Sequence, residues 1–121
     1  MKVRWTADSI RLRITPTELE ALRGGNAVAE RAAFPCGWTM VLGRAAATDL
    51  VSSTPGALHL MLGHDDFAAL DQPDSEGVYP VAGGTRCLVE KDFPCVHPRP
   101  SAALETSETF PAPPGFADRK A

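Results

Sequence analysis

The segment from residue 86 to residue 93 decides the fold, and it reads Arg86-Cys87-Leu88-Val89-Glu90-Lys91-Asp92-Phe93. It follows a Gly83-Gly84 pair, which is typical of a turn, and its apolar run is typical of a strand. We expect it to be the last strand of the domain and to lie inside a sheet. The other elements are predicted outward from it.

The N-terminal residues alternate between polar and apolar side chains over residues 2–5 and again over residues 10–14. This period of two predicts two strands joined around residues 6–9. Because successive side chains of a strand point to opposite faces, Arg11 and Arg13 share one face and Ile10, Leu12 and Ile14 face the core.

Helix signals follow directly after the second strand. Thr15 is a favourable N-cap, Pro16 suits the first helical position, and Glu18 completes a capping box, so we predict a helix over residues 16–23. Its Leu19 and Leu22 would face the sheet. A second short helix is predicted over residues 64–70, where acidic residues stand at the N-terminal end.

The remaining segments read mostly as strands. We predict a hairpin that pairs residues 27–33 with 38–44, strands over 48–52 and 58–62, and a short edge strand over 78–81 that contains Pro80. No internal repeat is visible. The predicted fold class is α+β: a small, mainly antiparallel β-sheet or partly closed barrel with one or two short helices.

The length and composition indicate how many domains the chain has and where the domain ends. A chain of 121 residues fits one domain, which we place over residues 1–99. Five of the eleven prolines lie between Pro98 and Pro114, so residues 100–121 are predicted to form an extended or disordered tail, with Phe110 or Phe116 docked on the domain.

The charge and the cysteine count exclude several classes of protein. A net charge of −3 disfavours a nucleic-acid partner, and no apolar run is long enough to cross a membrane. Three cysteines are too few for a secreted disulfide framework, so we expect reduced thiols and a cytoplasmic location. No cofactor is predicted.

Two stretches resemble a known family. Ser9-Ile10-Arg11-Leu12-Arg13-Ile14-Thr15 and the closing motif Glu90-Lys91-Asp92-Phe93-x-Cys95-x-His97-Pro98-Arg99 resemble those of small uncharacterised bacterial proteins about as long as this chain. That family is a domain of unknown function. The resemblance weakens over residues 45–80, and it implies no activity, substrate or cofactor.

The closing motif concentrates reactive side chains, and the candidate functional cluster consists of Glu90, Lys91, Asp92, Cys95, His97 and Arg99. Cys95 and His97 could bind zinc if Cys36, Cys87 or His59 completed a tetrahedral set, although the spacing is a poor match to zinc ribbons and fingers. The thiol of Cys95 could also act as a nucleophile. The alternative is a buried, unreactive cysteine beside a surface histidine.

A second candidate site is cationic. Arg4, Arg11, Arg13 and Arg86 could bind an anion if their strands line a concave face, with Lys2 and Lys91 close by and Glu90 and Asp92 projecting beside them. The alternative is a solvated face with cross-strand charge pairs.

Three functions remain open. The first is a small binding domain without catalytic activity, which contacts a protein partner or a second copy through an apolar surface around Trp5, Trp38 and Phe93. The second is an anion- or phosphate-binding enzyme, with or without a metal, that uses Glu90, Asp92 and the Arg11/Arg13 face. The third is a metal-binding protein that uses Cys95 and His97. No small-molecule ligand can be named.

Overall fold

The computed structural model describes residues 1–33, 37–53, 56–94 and 109–114. These ranges contain two helices, α1 (Pro16–Arg23) and α2 (His64–Leu70). The strands are β1 (Lys2–Trp5), β2 (Ser9–Ile14), β3 (Val28–Ala32), β4 (Trp38–Arg44), β5 (Asp49–Ser53), β6 (Ala57–Leu62), β7 (Gly77–Val78), β8 (Val81–Ala82) and β9 (Thr85–Lys91).

The strands form two sheets. The first sheet has the order β1-β2-β9-β7, with β8 also paired to β9, and the second has the order β3-β4-β6-β5. Strand β9 has neighbours on both sides, which confirms that the segment around residues 86–93 lies inside a sheet. The predicted hairpin is also confirmed, because β3 and β4 pair antiparallel.

Both sheets are mixed: five of the seven strand pairs among the described residues are antiparallel, as expected, but two are parallel, so neither sheet is purely antiparallel. Strand β2 pairs parallel with β9, and β4 pairs parallel with β6. The expected partly closed barrel was wrong, because the strands form two separate open sheets. Local alternation predicts strands equally well in either orientation, so the sequence could not reveal the parallel pairs.

The α+β class and the limits of both helices match the prediction. The hydroxyl of Thr15 accepts a hydrogen bond from Glu18 N, and Glu18 Oε1 accepts one from Thr15 N at 2.9 Å, which is the predicted capping box. Leu19 and Leu22 are buried as expected. Pro80 divides the predicted edge strand into β7 and β8, because it has no N–H to donate.

One hydrophobic core joins the two sheets and both helices. Leu12 of the first sheet, Leu42 and Leu60 of the second and Leu70 of α2 all belong to one cluster and have no exposed surface. Phe110, which lies inside the predicted tail, packs against this core, and its N–H donates to Asp92 O at 2.7 Å. The boundary at residue 99 and the state of the tail remain predictions.

The two halves of the chain repeat the same order of elements, although no repeat is visible in the sequence. A hairpin, a helix and a second hairpin run from β1 to β4, and the same elements run from β5 to β9, with β7 and β8 in place of one strand. Each sheet takes the first hairpin of one half and the last hairpin of the other. The two parallel pairs join the halves.

Hydrogen bonds repeat between the halves at equivalent places. Asp92 N donates to Ile14 O, as Ala45 N donates to Leu62 O. A cation at the end of each central strand then reaches the carbonyl end of the helix in its own half. Arg44 donates to Leu22 O of α1, and Lys91 donates to Gln72 O just after α2.

Neither helix in the described part of the chain is long and apolar enough to cross a membrane.

Candidate functional site

The cationic face predicted from the sequence lies on the outer side of the first sheet. Lys2 is directly opposite Arg13 and Arg4 is directly opposite Arg11 in the antiparallel pairing of β1 with β2. The apolar side chains between them face inward, where Ile10, Leu12 and Ile14 join the core. Four positive side chains therefore meet on one two-stranded surface.

Two carboxylates neutralise part of this face. Arg11 Nε lies 3.0 Å from Glu90 Oε1, and the same carboxylate accepts a hydrogen bond from the Tyr79 hydroxyl. Lys2 Nζ lies 3.0 Å from Oδ2 of Asp92, outside hydrogen-bond geometry. Asp92 is only 3% exposed. Glu90 and Asp92 both stand beside the cationic face, and each is engaged in an ion pair.

Arg4 and Arg13 form no ion pair within the described residues. They line a pocket of about 180 Å³ together with Lys2, Val3 and Arg11. We call this the cationic pocket. Its walls carry four positive charges and no carboxylate.

Lys91 does not join this pocket, although it was grouped with Glu90 and Asp92. It points to the other side of the sheet, is 6% exposed, and donates to Gln72 O at 2.8 Å. Burial lowers the pKa of Lys91, and the carboxylates of Asp71 and Asp74 oppose that shift. Its environment is that of a buried helix cap.

Arg86 is also outside the cationic pocket. It is exposed at the beginning of β9, and its guanidinium lies 3.7 Å from Asp8. Its partner along β2 is Ser9, whereas Arg13 is opposite Glu90 near the other end of the same strand pair. The four candidate arginines therefore divide into three at the pocket and one beyond it.

Half of the candidate functional cluster in the closing motif lies outside the described residues. Cys95, His97 and Arg99 of the closing motif lie outside them, as does Cys36. Cys87 lies in the core with no exposed surface, and burial raises the pKa of its thiol. Among the described residues no three His, Cys, Asp or Glu side chains are grouped for a metal ion. The metal and nucleophile hypotheses remain predictions.

An aromatic groove lies on the opposite side of β1. Trp5 and Trp38 pack edge to face with ring centroids 4.4 Å apart, and Trp5 is 51% exposed. Together with Val3 and Ala32 they line a cavity of about 230 Å³. We call these four residues the tryptophan seam. It lies between β1 and β3, which are the edge strands of the two sheets.

A second cavity of about 400 Å³ adjoins the seam and is lined by Met1, Lys2, Val3, Glu30, Arg31, Ala32 and Trp38. The contribution of β3 to this groove was missed, because residues 28–32 show no clear apolar face in the sequence. Nothing local in β3 signals that it would face β1 across a gap between sheets.

Phe93 does not belong to this surface, so its grouping with Trp5 and Trp38 was wrong. Its ring packs against Phe110 with centroids 6.0 Å apart. Phe110 in turn contacts the core from the far end of the chain. The apolar surface predicted from the sequence is therefore two separate features, an open seam and a packed pair.

Comparison with known proteins gives one match. A family model described as a family of unknown function, DUF7009, matches residues 1–114. No curated protein and no solved structure matches the chain.

Proposed function

The chain belongs to the family of unknown function DUF7009, and we propose that it is a binding domain without catalytic activity that takes an extended, acidic polypeptide segment at the tryptophan seam. The observation that carries this proposal is the pair of tryptophans at an open edge, with half of Trp5 exposed. Large aromatic side chains are enriched at the centres of protein interfaces.

Comparison of the two halves supports a special role for the seam. In the strand register, Trp5 is opposite Ile10, and the equivalent Leu58 is opposite Ser52. The positions equivalent to Trp5 and Trp38 in the second half are therefore Ser52 of β5 and Thr85 of β9. Those residues have no comparable apolar surface, and yet the strands around them adopt the same arrangement. Because the second half forms the same arrangement without an aromatic residue at either of these positions, the fold does not require the two tryptophans of the first half.

The edges of β1 and β3 that remain unpaired among the described residues favour a partner in an extended conformation. Strand β1 pairs only with β2, and β3 pairs only with β4, so each presents an unpaired edge in the described part of the chain. Unpaired edges are templates for an added strand, which is a common mode of peptide recognition. The side chains of such a strand would point alternately toward the tryptophans and toward the cationic face.

Charge supports an acidic partner. Lys2 and Arg31 line the seam cavities, and Arg4 projects from the other face of β1. Glu30 is the acidic residue of this lining, and it lies 3.8 Å from the amino group of Met1. A segment that alternates acidic and apolar residues matches both faces of β1.

Tryptophan fluorescence tests the proposal directly, because the chain contains only Trp5 and Trp38. The probe is a capped peptide of alternating glutamate and valine. We expect a saturable blue shift in emission, as the peptide removes the exposed ring of Trp5 from water. Peptides of alternating lysine and valine, and a glutamate–valine peptide N-methylated at alternate residues, serve as controls.

Equal shifts with all three peptides would refute strand addition, since the N-methylated control cannot donate the ladder hydrogen bonds. The absence of a shift with the acidic peptide would refute the proposed partner. Trp5→Ala is expected to weaken binding at least about tenfold, in the range of an interface hot spot. Tyr79→Ala, which removes an exposed aromatic on the other edge of the first sheet, should leave binding unchanged.

The lack of catalysis is supported by the state of the candidate acids and of the buried thiol. Glu90 and Asp92 are each held in an ion pair, and Cys87 is buried with a raised pKa. We propose further that the domain acts in the bacterial cytoplasm, with neither a nucleic-acid nor a membrane partner. Self-association would be an alternative way to cover the open edges, and light scattering would detect it.

A further inference from the structure

The like charges of the cationic pocket face each other across β1 and β2. Lys2 is opposite Arg13, and Arg4 is opposite Arg11, at positions where side chains of paired strands come close together. Like charges in this arrangement destabilise a sheet. The folded protein therefore keeps an unfavourable arrangement that a neutral residue on either strand would relieve.

The protein compensates only half of this charge. Glu90 pairs with Arg11 and Asp92 pairs with Lys2. Arg4 and Arg13 have no carboxylate partner within the described residues, and they lie on different strands around the same cavity of about 180 Å³. Two positive charges thus converge on an open space.

We propose that the cationic pocket binds a dianionic phosphate group, either inorganic phosphate or a phosphate monoester. A phosphate monoester carries a charge of about −1.5 to −2 at pH 7, which matches the two uncompensated arginines. The guanidinium group presents several donors in a planar fork that suits phosphate oxygens. Arg4 and Arg13 would donate to the phosphate, while Lys2 and Arg11 add positive charge from the remaining walls.

The cationic pocket shares Lys2 and Val3 with the cavities at the tryptophan seam, but Arg4 and Arg13 line only the pocket. Lys2 and Arg4 project from one face of β1, whereas Val3 and Trp5 pair with core positions on the other face. A phosphate in the pocket requires no peptide in the seam, so failure of either proposal leaves the other standing.

Calorimetric titration of the full chain tests the site with three probes at constant ionic strength: inorganic phosphate, phenyl phosphate and dimethyl phosphate. We expect the first two to bind, and dimethyl phosphate, which carries one charge, to bind at least about tenfold more weakly. Whichever dianion binds more tightly identifies the source, a free ion or an ester. Equal binding of dimethyl phosphate would overturn the charge match.

Two variants distinguish a role of the arginines in phosphate binding from a role in stabilising the fold. Arg4→Gln and Arg13→Gln should each weaken phosphate binding about tenfold, the loss expected for one charge-assisted interaction. Without ligand, each should raise Tm at low salt, because repulsion across the strand pair is relieved. A purely structural role for these arginines predicts the opposite change in Tm.

Arg86→Gln is the matched control, since it removes an arginine from the same sheet but outside the pocket. It should leave the dissociation constant for phosphate unchanged. The proposal is overturned if no probe binds at millimolar concentration, or if Arg86→Gln weakens binding as much as Arg4→Gln. The second result would indicate attraction by overall charge.

Discussion

Lys91 is a charged residue that lies almost wholly out of water. Burial lowers its pKa from 10.5, and its ammonium group is held by Gln72 O after the end of α2. Asp71 and Asp74 favour its charged form, but burial is the larger effect. The residue therefore ties β9 to a helix end at an electrostatic cost.

This cost gives a pH dependence. In the pH range between the lowered pKa and 10.5, Lys91 binds more protons in the unfolded chain than in the native chain. The contribution of Lys91 to the free energy of unfolding therefore rises with pH in this range. We expect the free energy of unfolding of the wild type, minus that of Lys91→Met, to become more positive as the pH rises from neutral toward 10.5, as measured by urea denaturation.

Arg44→Met is the control for that measurement. Arg44 occupies the equivalent place in the other half and donates to Leu22 O, but a guanidinium does not titrate in this range. Its difference from wild type should stay constant with pH. A Lys91→Met difference that is equally constant would contradict the expected titration.

At the scale of elements, the two helices begin in different ways. Helix α1 is capped by its own neighbour Thr15, whereas the N-cap of α2 is Gly63, which has no side chain. No side chain caps the N–H groups of the first turn of α2, but the Thr48 hydroxyl links the N-cap residue to that turn, since it accepts from Gly63 N and donates to Asp66. A Cβ at Gly63 would lie 2.7 Å from Thr48 N, so glycine permits this close approach.

The local cap of α1 gives a direct prediction of stability. Thr15→Ala removes the hydroxyl that accepts from Glu18 N, and it should cost about 1 kcal/mol, or roughly 4 °C in Tm for a domain of this size. Thr15→Ser keeps the hydroxyl and should lose much less. Thermal unfolding followed by circular dichroism measures both, and equal losses would exclude the cap as the cause.

At the scale of the whole molecule, each sheet contains hairpins from both halves of the chain. Neither half can complete a sheet alone, because β2 needs β9 and β4 needs β6 as parallel partners. The shared core adds to this dependence. The two sheets should therefore unfold together.

Single-tryptophan variants test this cooperativity. Trp38→Phe leaves Trp5 as a reporter on the first sheet, and Trp5→Phe leaves Trp38 on the second. Within each variant, the urea midpoint from fluorescence should coincide with the midpoint from circular dichroism, as two-state unfolding requires. Separate midpoints would mean that one sheet can unfold while the other persists.

The sequence by itself determined the local elements. The alternation at Arg11 and Arg13, the capping box at Thr15 and Glu18 and the apolar run after Arg86 each depend on neighbours along the chain, and the structure has strands and helices at those places. These features predicted α1 and the inner position of β9, and the acidic residues at the start of residues 64–70 predicted α2. They also predicted that Arg11 and Arg13 share one face.

Only the tertiary structure decided how those elements combine. Parallel pairing, the exchange of hairpins between halves and the approach of Trp5 to Trp38 depend on contacts between residues far apart in sequence. The same distance explains why Lys91 meets Gln72 O and why Phe93 packs on Phe110. Periodicity fixes which face a side chain occupies, but only packing fixes what that face meets.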